Sequence, residues 1–419
     1  MANGCQNRFL NGRLDEDIYM AQPEGFVNPE FPNRVCKLQR SIYGLKQASS
    51  QWNKRFDAEI KSFGFTQNFD EPCVYQKASG SNVTFLILYV YDILILGNHI
   101  PSLKEVKAYL GKCFSMKDLG EAAYNLGIKI YIDRAKRLIG VSQSAYIDKV
   151  LKRFNMQNSK NGYLSMQVEH GLSSKLCAST PEEVALMKKV PYASAVGSIM
   201  YAVRCTRPDV AFAQNMTSRY QQNPGGKHWH AVKSILKYLR NTKDMFIVYG
   251  GNPEAELDVT GYCDASFETD KDDTKSQTGY VFVINGGAVD WKSKKQTTIA
   301  MSVTEAEYIA ASEAAMEAVW IRKFISGLGI MPSIELPINM YCDNSAAVTF
   351  ANEPGVMKGA RHFPRRYHYV REQVDIGEIN LLKIHTDNNL ADPFTKALSK
   401  EKLTRHADGI GLRLASSFM

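Results

Sequence analysis

This 419-residue sequence has no C-x-x-C pair, no apolar run of membrane-spanning length and no large surplus of either charge, and each absence removes a class of protein. The eight cysteines (Cys5, Cys36, Cys73, Cys113, Cys177, Cys205, Cys263, Cys342) are scattered, which argues against a zinc ribbon and for reduced thiols in an intracellular protein. The most apolar stretch, "VTFLILYVYDILILG", falls short of the roughly 18 residues of a membrane span. It is β-branched and interrupted by Asp92, so it reads as a buried strand pair. The N-terminus "MANGCQNRFLNG" carries no secretory core. The expected location is cytoplasm or nucleus, with no membrane partner. There is no G-x-x-x-x-G-K-[ST] loop and no G-x-S-x-G elbow, and His228, His230, His362 and His368 form no recognisable zinc set. The net charge of +8, from 51 basic and 43 acidic residues, favours a polyanionic partner only moderately.

What is present falls into three textures. Residues 1–140 mix short strands with helices, including "ASSQWNKRFDAEIKSFGF", where Trp52, Phe56 and Ile60 recur at a four-residue spacing. Residues 141–250 read as helical, with a polar stretch "SKNGYLSMQVEHGLSSKLCASTPEE" expected to be a flexible linker. From 255 to 399 the pattern is strand-strand-strand-helix-strand-helix-helix-strand-helix, an α/β domain with a mixed sheet, and 400–419 is read as a tail. Within it, Asn285-Gly286-Gly287 marks a hairpin turn. Ile309, Met316, Trp320 and Phe324 are expected to form the buried stripe of the long helix, which Gly327 or Gly329 ends.

Four acids in this last region stand at element ends: Asp264 after the first strand, Glu307 at the start of the long helix, Asp343 after "INMYC" and Asp392 at the start of the last helix. Carboxylates that converge without matching lysines repel one another, so the arrangement suits a hard divalent cation such as Mg²⁺. Each also has a purely structural reading. Thr304-x-x-Glu307 fits a capping box, Asp343-Asn344-Ser345 a helix start, and Asp392 a cap.

Residues 257–399 resemble the ribonuclease H domain of Ty1/copia-type retrotransposons. The matching text is "GYCDASFETDKDDTKSQTGYVF", "GGAVDWKSKKQTTIAMSVTEAEYIAASEAA", "YCDNSAAV", "RYHYVREQV" and "NNLADPFTKAL". The resemblance implies a ribonuclease H-like α/β fold with a five-stranded mixed sheet and Asp264, Glu307, Asp343 and Asp392 as metal ligands. It implies two Mg²⁺ ions, with Mn²⁺ as a substitute, and hydrolysis of the RNA strand of RNA–DNA hybrids. Glu305 is a conceivable substitute for Glu307. His385 lies where the family carries a flexible histidine, and its other reading is a solvated loop residue. Lys292, Lys294, Lys295 and Gln296 are candidates for contact with the nucleic-acid backbone, or else a solvated face. Pro364 departs from the family text near "RRYH".

Residues 1–250 are similar to the reverse transcriptase of the same elements, through "FLNGRLDEDIYMAQPEGF", "VCKLQRSIYGLKQASSQW", "EPCVYQK", "YASAVGSIMYAVRCTRPDVAFA" and "HWHAVKSILKYLRNTKD". This implies an α+β polymerase palm followed by a helical connection. In that family the hairpin tip reads Tyr-Val-Asp-Asp and a third acid lies upstream. Here Tyr91 holds the first tip position, Gly4 holds the upstream one, and Asp92 alone is acidic. Gln47 would face the incoming nucleotide. The sequence starts at the upstream motif, so most of the template-gripping fingers are expected to be absent. The expectation is a dead polymerase joined to a ribonuclease H with its acids intact. The alternative is an inert retroelement remnant or a nucleic-acid-binding module.

Overall fold

The computed structural model describes residues 2–5, 14–42, 45–90, 92–169, 171–250, 257–353 and 366–419. Gly44, Tyr91, His362 and Pro364 lie outside the described residues. The chain divides into two compact units, Met1–Asn125 and Leu126–Met419.

In the first unit a six-stranded sheet runs in the order Thr66–Gln67, Val74–Ser79, Asn82–Tyr89, Asp92–Gly97, Ala2–Cys5, Met116–Asp118. Helix Ala48–Ser62 buries Trp52, Phe56 and Ile60, because residues four apart share one helical face. They pack with Tyr75, Leu86, Ile93 and Ile95 of the sheet and with Leu103, Val106 and Leu110 of helix Ile100–Cys113. The greasy hairpin forms as expected, with Tyr89 opposite Asp92 across its turn. Val90 takes a left-handed φ of 53°. For a β-branched residue that conformation costs about 1–3 kcal/mol. The indole of Trp52 offsets part of that cost by donating to the Val90 carbonyl at 2.7 Å.

In the second unit a five-stranded mixed sheet has the order Gly287–Lys295, Gln277–Ile284, Val259–Ser266, Ile338–Cys342, Ile379–Lys383. The first two pairings are antiparallel and the last two parallel. Asn285 and Gly286, with φ of 48° and 81°, make the two-residue turn whose twist suits a hairpin. One face of the sheet meets the helix Val303–Leu328. The other contributes Val281 and Ala288 to a core shared with helices Ser144–Arg153, Tyr192–Cys205, Ala211–Ser218 and Gly226–Asn241. Among the described residues no helix is long and apolar enough to cross a membrane.

Several expectations are corrected. The buried face of the long helix is made of small residues, Ala311, Ala314, Ala315 and Ala318, with Tyr308, Ile321 and Ile325. Of the expected stripe, Ile309 is buried and Phe324 packs at the edge of the core, but Met316 and Trp320 are 44% and 41% exposed, Trp320 stacking on Phe324. Alanine lets the helix axis come close to the sheet, which a stripe of large side chains would prevent. The helix is capped by Ser302, whose hydroxyl accepts from the Glu305 N–H at 3.1 Å, while the Glu305 carboxylate accepts from the Met301 N–H at 2.7 Å. Glu307 is therefore free of any capping duty. The expected flexible linker is anchored: Met166, Leu172 and Ser173 are buried, Arg240 donates to Asn161 Oδ1 at 2.8 Å, and the Ser174 N–H donates to Asp272 at 2.9 Å. Apolar residues spaced too irregularly to show a period still pin it down. Residues 400–419 are also folded, as helix Lys400–Gly409 and strand Leu412–Leu414, the latter pairing with Met245–Gly250.

Candidate functional site: an acidic cluster at one end of the mixed sheet

The two parallel strands that start the site carry the same dipeptide, Cys342-Asp343 at the end of Ile338–Cys342 and Cys263-Asp264 inside Val259–Ser266 rather than after it, and Cys263 is the register partner of Cys342. The pleat sends both cysteines into the core at the same level, so the acids that follow them emerge together. Asn344, not Asp343, caps helix Ser345–Asn352, its side chain accepting from the Ala347 N–H at 2.9 Å. Asp343 is left to face the site.

Carboxylate oxygens of Asp264, Asp343 and Asp392 lie within 4.8 Å of one another. Donor atoms of Glu307, Cys342 and Asp343 form a second group within the same limit. Asp343 belongs to both, so the structure brings all four sequence-predicted acids into one cluster. Asp264, Glu307 and Asp392 are buried, while Asp343 is partly open. Asp392 sits on a short turn, Asp392–Phe394, rather than at the start of the last helix. Pro393 follows it and has no N–H to continue a ladder.

Gly279 explains how that turn gets so close. It is the register partner of Asp264. A Cβ there would stand 2.6 Å from Phe394 Cβ and 2.7 Å from Thr395 Cγ2. The absent side chain is what lets residues 392–395 dock against the strand and deliver Asp392 to Asp264.

Burial, then the negative charges of Asp392 and Asp343, push the Asp264 carboxyl up to about 7, against the pull of Lys396 and the Thr395 hydroxyl. Glu307 is pushed well up by burial and by Asp264, although the Ala265 N–H holds it back. Asp392 is raised by burial, opposed chiefly by Lys396. These are the signs of a carboxylate cluster short of positive charge. A cation fits such a donor set: hard oxygens, several of them buried, with one open side.

Two residues the sequence reading missed complete the cluster. Thr395 donates its hydroxyl to Asp264 Oδ2. The Lys396 ammonium lies 2.9 Å from Asp392 Oδ1 and 3.8 Å from Asp264 Oδ2. Both stand in the quoted text "NNLADPFTKAL", but only contact in space shows what they touch. Lys383 donates to the backbone carbonyl of Asp343, fixing the strand end.

The other candidates separate. His385 is exposed and caps the turn Thr386–Asn388, 3.8 Å from Asp387, and belongs to neither acidic group. Glu305 is occupied as a cap. Gln296 is turned inward: it is buried, donating to Thr278 Oγ1 at 3.0 Å and to the Ala306 carbonyl at 2.9 Å, so it cannot meet a bound polymer. Lys295 is held by Asp270 and Asp273 at 3.0 Å each. Lys294 lies 3.7 Å from Glu313, and Lys292 is exposed with its ammonium over the Tyr280 ring. Lys292 and Lys294 share the wall of a cleft of about 630 Å³ with Arg204, Gln214 and Asn215; none of the four acids lines it.

In the first unit, strand Ala2–Cys5 places Gly4 directly opposite Asp92. Among the described residues, no group of three metal-ligating side chains includes Asp92. Gln47 is half-buried at the start of helix Ala48–Ser62 and caps nothing with its side chain.

Comparison with known proteins agrees along the chain. Residues 4–168 match the family model "Reverse transcriptase (RNA-dependent DNA polymerase)". A retrovirus-related Pol polyprotein from transposon TNT 1-94 of Nicotiana tabacum is 44% identical over 96% of this chain, which spans 30% of that relative. A transposon Ty5-1 protein of Saccharomyces cerevisiae is 33% identical, over 74% of this chain and 98% of its own length. Among solved structures, the N-terminal ribonuclease H domain of a Mycobacterium tuberculosis protein aligns with 36% of this chain and 97% of its own at a TM-score of 0.25 and 14% identity. So loose a superposition leaves the fold to be read from the strand order itself. The chain belongs to the Ty1/copia-type retrotransposon Pol family and carries its reverse transcriptase and ribonuclease H-like regions.

Proposed function

We propose that residues 257–399 hydrolyse the RNA strand of RNA–DNA hybrids with the help of divalent metal, and that the reverse transcriptase half of this chain no longer polymerises. The observation that supports the first part most directly is the meeting of Asp264, Asp343 and Asp392 oxygens within 4.8 Å, with Glu307 joining through Asp343. Asp264, Asp343 and Asp392 would hold one cation, and Asp343 with Glu307 the second. When bound, such a pair supplies an activated water and a counter-charge for the leaving oxygen of a phosphodiester. The chain's own part is positioning. Thr395 fixes the rotamer of Asp264, Gly279 keeps the Asp392 turn against the sheet, and Lys396 supplies a positive charge that opposes the rise of the Asp264 and Asp392 carboxyls. Lys292 and Lys294, on an exposed strand edge, would meet backbone phosphates and read helix shape rather than bases.

Loss of polymerisation rests on Gly4. The register partner of Asp92 has no side chain at all, so the hairpin offers one carboxylate where nucleotide addition needs several.

Gel-resolved cleavage of an end-labelled RNA–DNA hybrid in Mg²⁺, with Asp343→Asn alongside, tests the proposal. Cleavage to 3′-hydroxyl and 5′-phosphate ends by the parent and none by the variant is the expected result. A folded parent that leaves the hybrid whole in both Mg²⁺ and Mn²⁺ overturns it and leaves an inert remnant or binding module.

A further inference from the structure

The cleft beside the mixed sheet gathers polar groups that the fold leaves unsatisfied. It has a volume of about 630 Å³ and is lined by helices Tyr192–Cys205 and Ala211–Ser218 and by strand Gly287–Lys295, with none of the four acids in its wall. Pockets for small organic ligands run to roughly 300–1,000 Å³. Among the described residues the Arg204 guanidinium has no hydrogen-bond or ion-pair partner, and the Lys292 ammonium has only the Tyr280 ring, 5.7 Å from its centroid. Lys294, 3.7 Å from Glu313, adds a third cation. Asn215 accepts at Oδ1 from Arg219 and Gln277, at 3.1 Å each, and among the described residues its own N–H donors are free. Asp290 is the matching acceptor: its Oδ2 is buried without a hydrogen bond. Burial, then the charge of Glu317, push this carboxyl up to about 6, as befits an acid short of donors. Apolar wall comes from Met200 and Val289, 39% and 40% exposed, and from Trp291, whose indole is pinned by donating to the Val203 carbonyl at 2.9 Å.

We propose that this cleft binds a guanosine 5′-phosphate group, either as a free nucleotide or as the unpaired end of a strand. Each part of that ligand meets a group that lacks a partner. The phosphate suits Arg204 and Lys292, with Lys294 beside them, through charge-assisted hydrogen bonds. Guanine carries N1–H and N2–H₂ side by side, and a carboxylate such as Asp290 accepts from both. Uracil offers one N–H between two carbonyls, which the same carboxylate repels. The flat base faces suit Met200, Val289 and Trp291. A duplex does not meet these groups, because its base donors are already paired inside the stack. Inorganic phosphate would leave Asp290 without a donor. The site stands apart from hydrolysis, since none of the four acids belongs to it. It shares with the hydrolase reading only Lys292 and Lys294, each time as holders of phosphate.

The test is calorimetric titration of the full chain with guanosine and uridine 5′-monophosphates, in a chelator so that no metal links phosphate to the acids. One saturable site is expected for the guanine nucleotide, at least about tenfold tighter than for the uracil one. Arg204→Ala and Lys292→Ala, both at exposed positions, should each weaken binding about tenfold, and Asp290→Asn should remove the preference for guanine. No saturable binding at millimolar guanosine monophosphate, or equal affinity in the parent and both exposed variants, overturns the proposal. So does loss of binding in Asp343→Asn, which would put the nucleotide at the acids. An oligonucleotide ending in an unpaired 5′-phosphoguanosine separates the two sources: tighter binding than the free nucleotide assigns the strand end, and weaker binding assigns the free nucleotide. Absence of hybrid cleavage alongside Arg204-dependent nucleotide binding would sink the hydrolase reading and leave this one standing.

Discussion

The two halves of this chain each present acid at the end of a strand, and they differ in what faces it. At the hairpin tip, Asp92 looks across the sheet at Gly4. At the end of the mixed sheet, Asp264 looks towards Asp343 and Asp392 and is steadied by Thr395 and Lys396. Yet the first fold is intact: the hairpin register, the aromatic stripe and the Trp52 anchor are all in place. The core of that scaffold is packed around Trp52, Phe56 and Ile60 rather than around a group of acids. Fold stability and site chemistry live on different residues, and among the described residues only the second sheet gathers its acids into a group.

The sharpest way to break this comparison is to swap one acid in each half. Asp343→Asn should lower hybrid cleavage by more than about 100-fold, the scale on which charge stabilisation at a reacting centre operates. Asp92→Asn should leave cleavage unchanged, and a parallel loss in both variants would mean that the halves share one function. Next in size is Gly279→Ala. Its methyl group would collide with Phe394 and Thr395. The expected result is weaker Mn²⁺ binding with the global fold retained, read by calorimetry beside circular dichroism.

A third test uses pH. The folded carboxyl of Asp264, at about 7, lies above the roughly 3.9 of an unfolded aspartate, so the folded protein holds that proton more tightly. The resulting stabilisation is complete below the unfolded value and is lost as pH rises through the folded one. In the presence of a chelator, the melting temperature of the second unit should fall between about pH 4 and pH 7 from this group, and Mg²⁺ should flatten the fall. A metal-free melting temperature that rises steadily over that range would contradict the crowded cluster.

Smaller effects separate the two cores. Ala315→Leu should destabilise the second unit by about 1–3 kcal/mol through overpacking, whereas Met316→Leu on the adjacent exposed position should change little. In the first unit, Trp52→Phe removes the donor to the Val90 carbonyl. It should cost roughly 1 kcal/mol from the hydrogen bond alone, with the sheet preserved, by denaturant titration.

Much of this was legible in the linear chain. A four-residue apolar spacing, an Asn-Gly turn between alternating strands and acids at element ends are local patterns, and each reports a local geometry. The long helix was legible as a helix but not as a surface. Its bulky residues advertised a core stripe, and its alanines, which carry no such signal, took the buried side. Gln296 looked like part of a basic run and is a buried bracket between a strand and the long helix. The segment 159–183 looked like a linker because its anchors, Asp272 and Arg240, lie far away in sequence.

By itself the sequence determined the family, many of the secondary elements and which acids to look for, because periodicity, turn chemistry and long motif matches are properties of neighbours along the chain. Tertiary structure alone decided that Asp264, Glu307, Asp343 and Asp392 converge and that Thr395, Lys396 and two thiols stand among them. It also decided that Asp92 faces a glycine. Those are distances between residues up to about a hundred positions or more apart, fixed by strand register and by how closely a missing side chain lets one turn approach a sheet. No local pattern encodes them.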